Sequence, residues 1–182
     1  DIFGMTECAG IVSIEPCMAP RHPASVGVRL PYSEVVAVPL ESASKSHLNE
    51  FCQPGETGII AIRGPHVSSG YLDSAQAEGT FTQDNWLLSG DLGHVDKDGY
   101  IYLTGRSKDL IIRSGHNIDP GIIEEAFLKL SDVSTCAAVG EPDAYAGELP
   151  VVFVTLKEGA SLPPDQLLEL AAPHVPERPA VP

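Results

Sequence analysis

Basic residues are scarce in this chain: Lys and Arg number 11 against 25 Asp and Glu, a formal charge of −14 at neutral pH. That imbalance excludes a general electrostatic grip on nucleic acid or on an anionic membrane, so a phosphate-bearing ligand would have to meet locally placed donors. Long apolar runs are missing as well. No stretch reaches the roughly eighteen apolar residues of a membrane span, and the first residues lack the basic and apolar segments of a secretory leader. Cysteines are few. Cys8, Cys17, Cys52 and Cys136 show no C-x-x-C spacing, which argues against a zinc cluster or a disulfide framework and for reduced thiols in small apolar roles. The expected setting is the cytoplasm.

What is present is an ordinary globular composition, 43% apolar over 182 residues, enough for one medium domain or two small ones. Residues 8 to 33 hold Pro16, Pro20, Pro23 and Pro31 and read as loops with short extended pieces. Strands are predicted from Glu34 to Leu40 and from Gly58 to Gly64, separated by a polar stretch that ends in a Pro54-Gly55 turn. Between Thr80 and Asp91 an apolar strand is predicted to run into a Gly90 turn. Residues 93 to 104 alternate as a hairpin around Asp96-Lys97-Asp98-Gly99, a turn and not a calcium loop, because an EF-hand needs more oxygen ligands and a closing Glu. Leu110 to Ile112 is too short a run for a helix and predicts a brief strand broken by Ser114-Gly115.

Asp119-Pro120 then opens a helix: Asp can accept from the free amides of the first turn, and Pro loses nothing at the first helical position. Ile122, Ile123, Ala126, Phe127 and Leu130 fall on its apolar face. Further strands are predicted from Val133 to Val139 and from Leu149 to Leu156. A second helix is predicted from Pro163 to Ala172, with Leu167, Leu168 and Leu170 as its contacts. The fold class is α+β: a β-rich part over residues 1–107, barrel-like in character, followed by a small two-layer α+β domain over 108–182. The first motif begins almost at once and the Pro-rich residues 173–182 close no element, so the chain is expected to be a piece of a larger protein.

The run Gly105-Arg106-x-Lys108-Asp109-x-Ile111-x-x-x-Gly115-x-Asn117-Ile118-x-Pro120-x-x-Ile123-Glu124 resembles the hinge signature of the adenylate-forming superfamily: acyl-CoA synthetases, luciferases and peptide-synthetase adenylation domains. Ile122 departs from it, since the family usually has Glu there. Phe3-Gly4-Met5-Thr6-Glu7, taken alone a possible helix cap, is similar to the family's aromatic-Gly-x-Thr-Glu motif. Gly55 to Gly70-Tyr71 resembles a further motif, read as structural, and Ser89-Gly90-Asp91 resembles the Thr/Ser-Gly-Asp motif, although by itself it would read as a self-capping turn.

The resemblance implies an AMP-forming acyl-CoA synthetase that uses Mg·ATP to make an acyl-adenylate and passes the acyl group to CoA. Thr6 would contact the α-phosphate, Glu7 would help hold Mg²⁺, Asp91 would bind the ribose diol, and Arg106 would contact ribose or phosphate. Lys108 would be the hinge, and Gly115 would line the thiol tunnel, where a side chain could block the pantetheine arm. His116 is weighed as a base for the thiol against a loop-fixing hydrogen bond, and the latter is favoured. The family's phosphate loop and its terminal lysine are not found in the sequence, so these residues alone are expected not to adenylate. A carrier-protein phosphopantetheine as acceptor, or a noncatalytic nucleotide- or protein-binding module, are the alternatives.

Overall fold

β-branched and aromatic runs separated by Gly, Pro and Asp dictate a structure made mainly of short antiparallel strands. The computed structural model describes residues 1–43, 46–73, 79–176 and 180–182; parts of the polar stretch after Leu40 and of the Pro-rich last residues lie outside these. Two units divide the chain, Asp1–Ser107 and Lys108–Pro182. Among the described residues no helix is long and apolar enough to cross a membrane.

The first unit holds a seven-stranded antiparallel sheet in the order β1-β2-β3-β7-β6-β5-β4. Its strands are β1 (Ile2–Phe3), β2 (Ser13–Ile14), β3 (Ser25–Arg29), β4 (Glu34–Val38), β5 (Gly58–Arg63), β6 (Leu87–Val95) and β7 (Tyr100–Arg106). β5 reads as a continuous apolar run because Gly58 to Ile62 are all buried. Phe3, Val12, Val35, Ile60, Ile62, Leu87 and Ile101 form the core. The β6–β7 turn is held by Asp96 Oδ1, which accepts from the amides of Asp98 and Tyr100, both at 2.9 Å. The strand order was not legible locally: β3 lies beside β7, pairing Ser25 with Tyr102.

The sequence placed a turn at Ser89-Gly90-Asp91, and the structure corrects this. β6 continues through these residues, which stand opposite Ile60 alone, since Ile59 pairs with Leu92 and Ala61 with Leu88. Such an insertion is a β-bulge, which bends a strand and re-aims a side chain. Gly90 supplies the left-handed backbone it needs, with φ 76°.

The second unit is a four-stranded antiparallel sheet in the order β10-β11-β8-β9 with helices packed on it. Its strands are β8 (Ile111–Arg113), β9 (His116–Ile118), β10 (Val133–Asp143) and β11 (Gly147–Leu156); its helices are α1 (Pro120–Leu128) and α2 (Pro164–Ala171). β9 was not foreseen: His116-Asn117-Ile118 is too short and polar to signal a strand, and it forms by pairing with β8 across the Ser114-Gly115 turn. Asp119 caps α1 as expected, accepting from the Gly121 amide at 2.9 Å with Pro120 at the first helical position. Ile123, Ala126 and Phe127 are buried against Ile111, Ile118, Val133, Ala138, Leu167 and Ala171. β10 and β11 extend beyond their expected ends to a tight hairpin at Asp143–Gly147. Leu167 is buried and Leu168 packs at the edge of the core, but Leu170, expected as a contact, is 45% exposed.

Candidate functional site

A cleft of about 620 Å³ opens in the first unit, lined by residues far apart in sequence: Gly4 and Glu7 near the start, Tyr71, the bulge Ser89-Gly90-Asp91, and Arg106 with Ser107 at the end of β7. The start of the chain reaches it through a tight fold-back. A Cβ on Gly4 would stand 1.8 Å from the Gly10 carbonyl oxygen, so only glycine fits there. Thr6 to Cys8 then make one turn of 3-10 helix with Cys8 buried beneath it. There the Cys8 thiol is pushed up to about 11 by burial and by the neighbouring Glu7 charge, which keeps it protonated and unreactive.

Asp91 projects from the bulge with 17% of its side chain exposed, and its Oδ1 lies 3.2 Å from Arg106 Nε. The two residues face each other across the β6–β7 ladder. Burial pushes the Asp91 carboxyl above the usual aspartate range, against the opposing pull of Arg106 and of a hydrogen bond with Ser89. Two hydroxyls hold the bulge: Ser89 Oγ accepts from the Asp91 amide at 3.0 Å, and Ser107 Oγ donates to the Gly90 carbonyl at 3.1 Å. Glu7 accepts a hydrogen bond from the Tyr71 hydroxyl. That bond is the main reason its carboxyl sits below the usual glutamate range, with a backbone hydrogen bond adding to it against partial burial.

Among the site residues expected from sequence, Glu7, Asp91 and Arg106 line this cleft. Thr6 is exposed and is not among the cleft-lining residues. Lys108 and Gly115 belong to the second unit. Lys108 is exposed within a 3-10 turn, Ser107–Asp109. Gly115 sits at the exposed β8–β9 turn with φ 83°, and a Cβ there would meet no atom within 4 Å. His116 is exposed too. Sequence reasoning missed Tyr71 and Ser107, whose partners are brought to them by the fold, and also Ser89, whose hydroxyl accepts locally from the Asp91 amide.

A divalent cation held by protein alone is not indicated, since no group of three His, Cys, Asp or Glu side chains stands ready for a metal among the described residues. A single carboxylate such as Glu7 fits a Mg²⁺ that arrives on phosphates, keeping most of its ligands from them and from water. The cleft's volume is in the range of small-molecule and cofactor sites.

The motifs and the comparisons with known proteins point to one class, the adenylate-forming enzymes, which this chain resembles. Residues 122–182 match the family described as AMP-binding enzyme C-terminal domain. Among curated relatives it is similar to the marinolic acid–CoA ligase of Pseudoalteromonas sp. strain SANK 73390, with 45% identity over 99% of this chain and 27% of the relative. It is also similar to the long-chain-fatty-acid–CoA ligase of Salmonella typhimurium, with 35% identity over 95% of this chain and 29% of the relative. Among solved structures it resembles ATP-bound MatB from Rhodopseudomonas palustris, with a TM-score of 0.86 and 29% identity over 100% of this chain and 35% of that one. The chain thus spans under a third of the length of these curated relatives.

Proposed function

We propose that this chain is part of an AMP-forming acyl-CoA synthetase, an acid–thiol ligase that joins a carboxylic acid to CoA through an acyl-adenylate. Carboxylate is a poor electrophile; loss of pyrophosphate from ATP makes it one, with AMP as the leaving group. Asp91 offers two acceptor oxygens to the paired donors of a ribose diol, and Arg106 beside it serves ribose or phosphate. Thr6 contacts the α-phosphate, and Glu7 supplies one oxygen to Mg²⁺, which neutralises phosphate charge when bound. Lys108 is the hinge about which the second unit reorients between half-reactions, and Gly115 leaves room for the thiol arm of CoA. A cytoplasmic setting fits four cysteines that are all free.

One observation carries this reading: an Asp on a hydroxyl-braced bulge, paired with an Arg on the neighbouring strand, shares a cleft with a second carboxylate held by a tyrosine. The naming of similar proteins as CoA ligases supports the acceptor. The reading is tested by calorimetric titration of the chain with ATP and with 2′,3′-dideoxy-ATP. Each charge-assisted hydrogen bond to the diol contributes about 1.5–3 kcal/mol, so wild type should prefer ATP strongly and Asp91→Ala should lose that preference. A preference equally strong in Asp91→Ala, or absent in wild type, would show that Asp91 does not read the ribose.

A further inference from the structure

The segment that follows β5 reaches the cleft at Glu7 in two places. The Ser68 amide donates to the Glu7 carbonyl at 2.7 Å, and the Tyr71 hydroxyl donates to Glu7 Oε1. The tyrosine is itself held, its ring edge-on to Phe81 with centroids 5.7 Å apart and planes at 72°. Glu7, Tyr71, Asp91 and Arg106 line the same cleft. Tethering the segment to the 3-10 turn requires no hydroxyl on a carboxylate. The Ser68 amide already makes that tether, and a phenylalanine would pack on Phe81 as well as a tyrosine does. What the hydroxyl adds is a fixed direction for a side chain with three rotatable bonds, settled before a ligand arrives.

We propose that Tyr71 is a positioning residue for Glu7: its hydroxyl fixes the carboxylate through Oε1 and leaves Oε2 for a divalent cation carried by the phosphates of a nucleotide. The proposal rests on the reading of Glu7 as a cation ligand. Groups that hydrogen-bond to a metal-binding carboxylate orient it before the metal arrives, and their loss typically costs about 10–100-fold in affinity.

Two measurements on the 182-residue chain test this, with Tyr71→Phe as the variant because it keeps the ring and removes only the hydroxyl. The first needs no ligand: three-bond couplings across the Glu7 side chain should report a single χ1 rotamer in wild type and averaging in Tyr71→Phe. The same behaviour in both proteins overturns the proposal. The second compares binding of AMP without metal, ATP without metal, and ATP with Mn²⁺. Tyr71→Phe should lose about tenfold of the gain that Mn²⁺ gives to ATP binding while AMP binds as in wild type. Equal weakening of AMP and of Mn²⁺·ATP would mean a loosened cleft and would also overturn it. Glu7→Gln separates the two levels. If it leaves the Mn²⁺ gain whole, Glu7 is not the cation ligand and both readings fall; if it removes the gain while Tyr71→Phe does not, only the role of Tyr71 falls.

Discussion

Asp91 is held between opposing influences, burial on one side and Arg106 with Ser89 on the other. Its carboxylate is largely taken out of water, and the guanidinium that offsets this is 51% exposed, so screening by solvent limits what the pair returns. The net result is a folded-state pKa above the usual value. A folded state that binds the proton more tightly than the unfolded chain loses stability as pH rises from the ordinary carboxylate range through the raised value. Asp143 is the opposite case. The amides of Ala146 and Tyr145 hold its carboxyl down, so its contribution is present above the usual aspartate pKa and is lost as the pH falls through its lowered value. Asp91→Asn should therefore flatten the decline in stability with rising pH just above the carboxylate range and leave the acid limb that Asp143 contributes. Urea midpoints measured across that range check it. An unchanged decline in Asp91→Asn would mean that the burial of Asp91 carries no cost.

At the scale of elements, the bulge in β6 joins the fold to the cleft. Gly90 gives it a left-handed residue, and a Cβ there would lie 3.9 Å from the nearest atoms of Arg106 and Ser107, an ordinary contact. Gly90→Ala therefore meets room but the wrong backbone, and a left-handed non-glycine residue costs about 1–2 kcal/mol. The variant should fold, unfold at lower urea by that amount, and bind nucleotide more weakly because the bulge no longer aims Asp91 as before. Wild-type stability with wild-type affinity would show that the bulge has another allowed form. The sequence announced the Ser-Gly-Asp string but not the bulge, because a bulge exists only against a partner register, here that of Ile59 and Ala61. The α1 cap and the Asp96 turn were legible for the opposite reason: each is closed by hydrogen bonds within a few residues. β9 needed β8 to become a strand at all. Tyr71 and Glu7 stand 64 positions apart, and nothing local in Gly70-Tyr71 marks the tyrosine as a partner of a carboxylate.

For the whole molecule, the division of the chain between Ser107 and Lys108 falls where the backbone makes a single 3-10 turn, Ser107–Asp109. Ser107 is fixed from the side of the first unit by its hydroxyl on the Gly90 carbonyl. Lys108 is exposed, and a hinge there requires it to adopt more than one backbone conformation with few other dihedrals changing. Proline holds φ near −65° and disfavours the helical region for the residue before it, so Lys108→Pro acts on Ser107 as well as on its own position. Lys108→Ala removes the ammonium and leaves φ free. In the proposed acyl-CoA synthetase, Lys108→Pro should keep adenylation, read as acid-dependent exchange of pyrophosphate into ATP, and lose thioester formation from supplied acyl-adenylate and CoA. Lys108→Ala should be mild in both assays, because the backbone and not the charge is what the hinge requires. A loss of both half-reactions in Lys108→Ala would make the ammonium the functional group. Equal retention of both in Lys108→Pro would remove Lys108 from the hinge and move the change of orientation to another bond.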